Sequence, residues 1–105
     1  MDAETIRRFV AEGRYTFSKH AEREREADMI QIRELEEALK GCEIIEDYPN
    51  DPRGPSCLVL GFSGARPIHA VCSPKHDPQD LLLITVYDPS RRPDAWTDDY
   101  RRRRR

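Results

Sequence analysis

Apolar residues recur at helical spacing before Gly41 and at alternating spacing after it. In "AETIRRFVAEG" Ile6, Phe9 and Val10 fall on one face, and Gly13 is a natural stop. A second helix is predicted from Ser18, a favourable N-cap, with Glu22 and Glu24 near its positive end, running to about Asp28. A third, "IQIRELEEALKG", sets Ile32, Leu35, Ala38 and Leu39 on one stripe and stops at Gly41. The break near Asp28 and Met29 leaves two readings open, two helices or one bent helix.

Beyond Gly41 the β-branched residues gather in "CEIIEDY", "SCLVLGF", "RPIHAVCS" and "DLLLITVYD", four predicted strands. The segments between them, "PNDPRGP", "SGA" and "PKHDPQ", are short turn formers, so sequence neighbours should pair antiparallel. Pro67 makes the third strand an edge strand, or is its first residue. The expected fold class is α+β: two to three N-terminal helices packed on a four-stranded antiparallel sheet. Residues 1–90 form the domain and residues 91–105 a basic tail.

Alternation then sorts the side chains. Ile68, Ala70 and Cys72 share one face of the third strand, His69 and Val71 the other. In the fourth, Leu82, Ile84 and Val86 share one face, and Leu81, Leu83, Thr85 and Tyr87 the other. With the wholly apolar sets turned to the helices, His69, Thr85 and Tyr87 gather on the opposite face. A histidine beside a hydroxyl and a phenol is a cluster suited to acid–base chemistry. His76, in "PKHDPQ", is expected in a turn and solvated.

Composition bounds this picture. At 105 residues, 37% hydrophobic and 36% charged, the chain can build one small core. No apolar run reaches the length of a membrane span, and "MDAETIRRFV" lacks the pattern of a secretory signal, so the expected compartment is the cytoplasm. Cys42, Cys57 and Cys72 are far apart, with no C-x-x-C pair for zinc, and read as small buried apolar residues.

Charge adds more. The formal net charge of −2 hides five consecutive arginines, Arg101 to Arg105, behind an acidic body. Such segregation marks an interaction tail for a phosphate backbone, a solvated end, or a segment folding back onto the acidic body. Trp96 and Tyr100 beside the arginines are the candidate stacking residues for nucleic-acid bases. On the second helix His20 and Arg23 share a face. His20, Glu24 and Asp28 form a drifting stripe that reads as an ion-pair face, a metal site, or a place where Glu24 hydrogen-bonds His20.

Taken together, "FSKHAEREREADMI", "GCEIIEDYPND", "GPSCLVLG", "RPIHAV" and "ITVYDP", followed by Trp96 and the arginines, resemble the domain-of-unknown-function family 4258. That family is placed near the RelE, ParE and motility-quorum-sensing-regulator toxins, of barnase-like and colicin-type ribonuclease fold. The resemblance implies a RelE-like domain acting as a toxin-like, metal-independent endoribonuclease without a cofactor. It implies His20 and His69 as acid and base, and Arg23 or Arg66 as the charge on the transition state. Tyr87 or Thr85 would hydrogen-bond phosphate. Arg101, Arg102, Arg103, Arg104 and Arg105 would hold the RNA backbone, and the partner would be an antitoxin of zinc-ribbon or helix-turn-helix type. The alternative is a non-catalytic module of the same fold that binds protein or nucleic acid. A third reading is a small metal-dependent hydrolase using His20, Glu24 and Asp28.

Overall fold

The computed structural model describes residues 1–76 and 79–105, His76 by its backbone alone. Three helices, α1 (Ala3–Ala11), α2 (Lys19–Ala27) and α3 (Ile32–Leu39), enter as the spacing predicts. Asp2 caps α1 through the Thr5 N–H, Ser18 caps α2 through Ala21, and Gln31 with Glu34 forms a capping box on α3. The break after Asp28 resolves as two separate helices, because Met29 takes a left-handed conformation with φ 53°. Ile32 departs from the predicted stripe: it is exposed at the start of α3, and Ile30 is buried instead.

Five strands follow the order β1-β5-β4-β3-β2 in one sheet: β1 (Tyr15–Phe17), β2 (Glu43–Tyr48), β3 (Ser56–Ser63), β4 (Arg66–His76) and β5 (Gln79–Tyr87). The expected four-stranded antiparallel sheet is therefore mixed and five-stranded, since β1 pairs parallel with β5. Pro67 stands at the second position of a central strand, tolerated where β4 begins. Strands β4 and β5 also take up most of the predicted "PKHDPQ" turn, whose residues 77–78 lie outside the described ones.

All three helices contribute to a core on one sheet face. Ile6, Phe9 and Val10 of α1, Ala21 of α2 and Leu35, Ala38 and Leu39 of α3 meet Val59, Ile68, Ala70 and Leu83 there, and the three cysteines are buried among them. At the crossing of α3 over β3 the backbones nearly touch. A Cβ on Gly61 would lie 2.0 Å from the Ala38 carbonyl oxygen, so the position needs glycine.

The strict alternation expected along β5 fails at one place, and the failure matters. Cys72 pairs with Leu83 and Val71 with Thr85, leaving Ile84 as an extra residue in a bulge. Leu81 and Leu83 therefore join Val86 in the core, while Leu82 and Ile84 are only half-buried. Beyond the bulge, Thr85 and Tyr87 pair with Val71 and His69 and share their face, away from the helices.

That second face is not open along its whole length. After a 3₁₀ turn, Pro89–Arg91, the chain folds back on itself, with Thr97 N–H to Arg102 O at 2.8 Å and Arg104 N–H to Ala95 O at 2.9 Å. This strap buries Trp96 to 3% exposure, and Leu58, Leu60 and His69 are buried outside the main core. The segment read as a basic tail is thus the fold-back alternative. Among the described residues no helix is long and apolar enough to cross a membrane.

Candidate functional site

Beside the strap, the same sheet face carries a groove of about 480 Å³ lined by His20, Tyr48, Asp51, Arg53, Ser56 and Thr85, among others. His20 reaches its rim because Ser18 ties the start of α2 to β5: Ser18 N–H donates to Leu83 O at 2.9 Å and its hydroxyl to Ile84 O at 2.8 Å. The imidazole is 67% exposed, with Nε2 3.2 Å from Glu24 Oε1.

Glu24 is itself fixed. Its Oε1 accepts the Val86 N–H at 3.1 Å, and one helical turn on, Asp28 Oδ2 accepts the Asp88 N–H at 2.9 Å. Where β1 stops, these carboxylates continue its hydrogen bonding along the free edge of β5. The stripe His20, Glu24, Asp28 is therefore more than a plain solvated face. Among the described residues no group of three His, Cys, Asp or Glu is placed to hold a metal ion.

Across the groove the β2–β3 connection supplies charge. Asp51 accepts from the Arg53 backbone at 2.9 Å, the Arg53 side chain and the Ser56 hydroxyl at 3.1 Å. Hydrogen bonding from Arg53 lowers the Asp51 carboxyl to about 2, so it stays ionised. Arg53, 71% exposed, stands at the mouth of the groove. Asp51, Arg53, Ser56 and Tyr48 were not among the residues expected at a site. The Asp-x-Arg of "NDPRGP", which Asp51 uses to hold its own loop, is the signal that reads at first as a mere turn.

One pleat repeat beyond Val71 and Thr85, or about 7 Å of strand, sits His69, wholly buried. Its Nε2 lies 2.8 Å from the Tyr100 carbonyl and its Nδ1 3.0 Å from the Tyr87 hydroxyl. A carbonyl only accepts, so the proton is on Nε2, and Tyr87 donates to Nδ1. Trp96 stacks edge-on at 4.4 Å between ring centroids. Burial drives the His69 pKa down to about 4 against the pull of the Tyr100 carbonyl, and burial pushes Tyr87 up to about 12. His69 here is a neutral rivet between sheet and strap, and it is not presented to a substrate beside His20.

The remaining predicted residues divide further. Arg23 is exposed on α2 and does not line the groove. Arg66 is a clamp on the helix side: it donates to Asp88 at 2.9 Å, to Glu34 at 3.2 Å and to the carbonyls of Asp28 and Met29. With its fork so occupied it has little left for phosphate, the role the resemblance implied. Arg101 pairs with Glu43 at 2.5 Å, Arg103 with Glu46 at 3.0 Å and Arg104 with Asp98 at 2.6 Å, while Arg102 and Arg105 are exposed. Trp96, expected to stack on bases, is buried against His69 and under the Arg103 guanidinium, 4.8 Å from its ring centroid.

Fold and site together define a small mixed-sheet α+β domain with helices on one face and a histidine-rimmed groove on the other. The family model for a domain of unknown function, DUF4258, matches residues 17–88, and the chain belongs to that family. The match runs from the last residue of β1 to just past β5 and stops before the strap. No curated protein and no solved structure matches the chain significantly.

Proposed function

We propose that this chain is a RelE-like, metal-independent endoribonuclease of toxin type, with its reaction centred on the groove at His20. The observation that carries this reading is the exposed imidazole held 3.2 Å from a carboxylate that a backbone amide fixes in place. Cleavage needs a base to take the ribose 2′-hydroxyl proton. His20 is free to do so, and Glu24 offsets the positive charge the ring gains. The 2′-oxygen then attacks phosphorus and the 5′-oxygen leaves, giving a 2′,3′-cyclic phosphate. Arg53 and the Thr85 hydroxyl line the same groove and supply charge and a hydrogen bond to the phosphorane-like transition state. An antitoxin of zinc-ribbon or helix-turn-helix type would inhibit by covering this groove.

The test is incubation of the purified chain with a single-stranded oligoribonucleotide and its 2′-O-methyl analogue. Fragments ending in 2′,3′-cyclic phosphate, from the unmodified strand alone, are expected. An intact unmodified strand overturns the reading.

A second reading, a non-catalytic protein- or nucleic-acid-binding module, is favoured by one observation. His69 is wholly buried with both ring nitrogens hydrogen-bonded, which leaves the open groove a single histidine.

A further inference from the structure

We propose that residues 93–105 are a releasable strap that single-stranded RNA lifts off His69 and Tyr87. The inference rests on the nuclease reading, for which it supplies the missing proton donor to the leaving 5′-oxygen.

The strap is held by Trp96, buried against His69, and by a set of ion pairs that lies at the surface. Arg101 holds Glu43 with the two side chains 46% and 45% exposed, and Arg103, 61% exposed, holds Glu46, 25% exposed. Pairs this exposed are screened by salt and exchange readily. Phosphate is a strong competitor for them, because each guanidinium fork fits two phosphate oxygens and an RNA strand carries a phosphate at every residue. Arg102 and Arg105, which make no ion pair among the described residues, stand beside them for first contact.

The strap's anchor is also under strain. Tyr100 has φ 64°, a left-handed conformation unfavourable for a bulky side chain, and its carbonyl is the one that accepts the His69 Nε2–H. Lifting the strap relaxes Tyr100 and breaks that bond in one step. What it uncovers is a histidine and a phenol on the face that continues, through Val71 and Thr85, into the groove. Opened to water, a gain that outweighs the loss of the Tyr100 carbonyl, His69 takes up protons more easily and stands beside the groove as the acid to His20's base. The closed strap, in turn, keeps His69 covered until RNA is present.

Hydrogen exchange read by mass spectrometry tests this, with a 2′-O-methyl oligoribonucleotide as a probe that binds without being cut. The reporting amides are Thr97 and Arg104, which donate to Arg102 and Ala95 across the strap. At low ionic strength the bound oligonucleotide should speed their exchange about tenfold, and Arg103→Gln should do so with no oligonucleotide. The emission of Trp96, the one tryptophan of the chain, should move to the red in that variant while the helical circular dichroism stays unchanged. Slow exchange with the oligonucleotide bound, a protected strap in Arg103→Gln, or no binding at all overturns the proposal. A chain that cuts the unmodified strand with its strap still protected loses the strap and keeps the nuclease. A strap that opens without any cutting does the reverse.

Discussion

Glu24 accepts the backbone N–H of Val86 at 3.1 Å, and the same oxygen lies 3.2 Å from His20. One carboxylate thus closes the edge of β5 and orients the exposed histidine, so stability and chemistry separate by substitution. Glu24→Ala leaves the buried Val86 N–H without a partner and should cost about 1–3 kcal/mol in urea unfolding. Glu24→Gln keeps an acceptor there and should unfold near wild type, yet lose cleavage because the charge beside His20 is gone.

His69 should make the fold acid-sensitive. Its folded pKa of about 4 lies below the ordinary value of 6.5, so the unfolded chain binds the extra proton between these limits. The contribution is fully present above about pH 6.5 and falls as pH drops towards 4, by an amount on the order of a few kcal/mol. Carboxylates held low by their partners, such as Asp51, lose stability at still lower pH. Urea unfolding of wild type and His69→Gln across pH 4–7 isolates the histidine. The variant should be less stable at pH 7 and show a flatter slope, and parallel curves contradict the buried neutral ring.

Gly61 should be among the least replaceable positions. Gly61→Ala drives a Cβ into the Ala38 carbonyl and should cost roughly 3 kcal/mol by forcing α3 off β3. Gly41→Ala meets nothing within 4 Å and should stay within about 0.5 kcal/mol of wild type. Thermal melts of the two variants make the comparison.

Arginines should differ by place rather than by charge. Arg66, 24% exposed, joins Asp88 and Glu34 to two carbonyls between α2 and α3, and a lysine cannot reproduce that fork. Arg66→Lys should cost about 2 kcal/mol. Arg101→Gln, at a pair nearly half exposed, should change denaturant stability by under about 1 kcal/mol while loosening the strap.

Much of this architecture is legible in the residues, and what is not has physical causes. Ser18, Gly13 and the stripes of α1 and α3 announce themselves because capping and period are local properties. Strand β1 does not, since "YTF" is too short to show alternation and is held by its parallel partner. The bulge at Ile84 is equally silent: "LLLITV" alternates as well with one residue more or less, and only the pairing with β4 decides which leucines face the core. His69, Thr85 and Tyr87 do share a face, yet nothing local says that Trp96 and Tyr100 cover part of it. A run of arginines reads as solvated until Glu43 and Glu46, placed on β2, come within reach.

The central claim is that His20 moves the proton. Single-turnover cleavage of an oligoribonucleotide by wild type and by His20→Ala tests it most directly. The side chain is exposed, so the variant should melt with wild type while its cleavage rate falls at least about a hundredfold. A His20→Ala chain that cuts at the wild-type rate contradicts the claim.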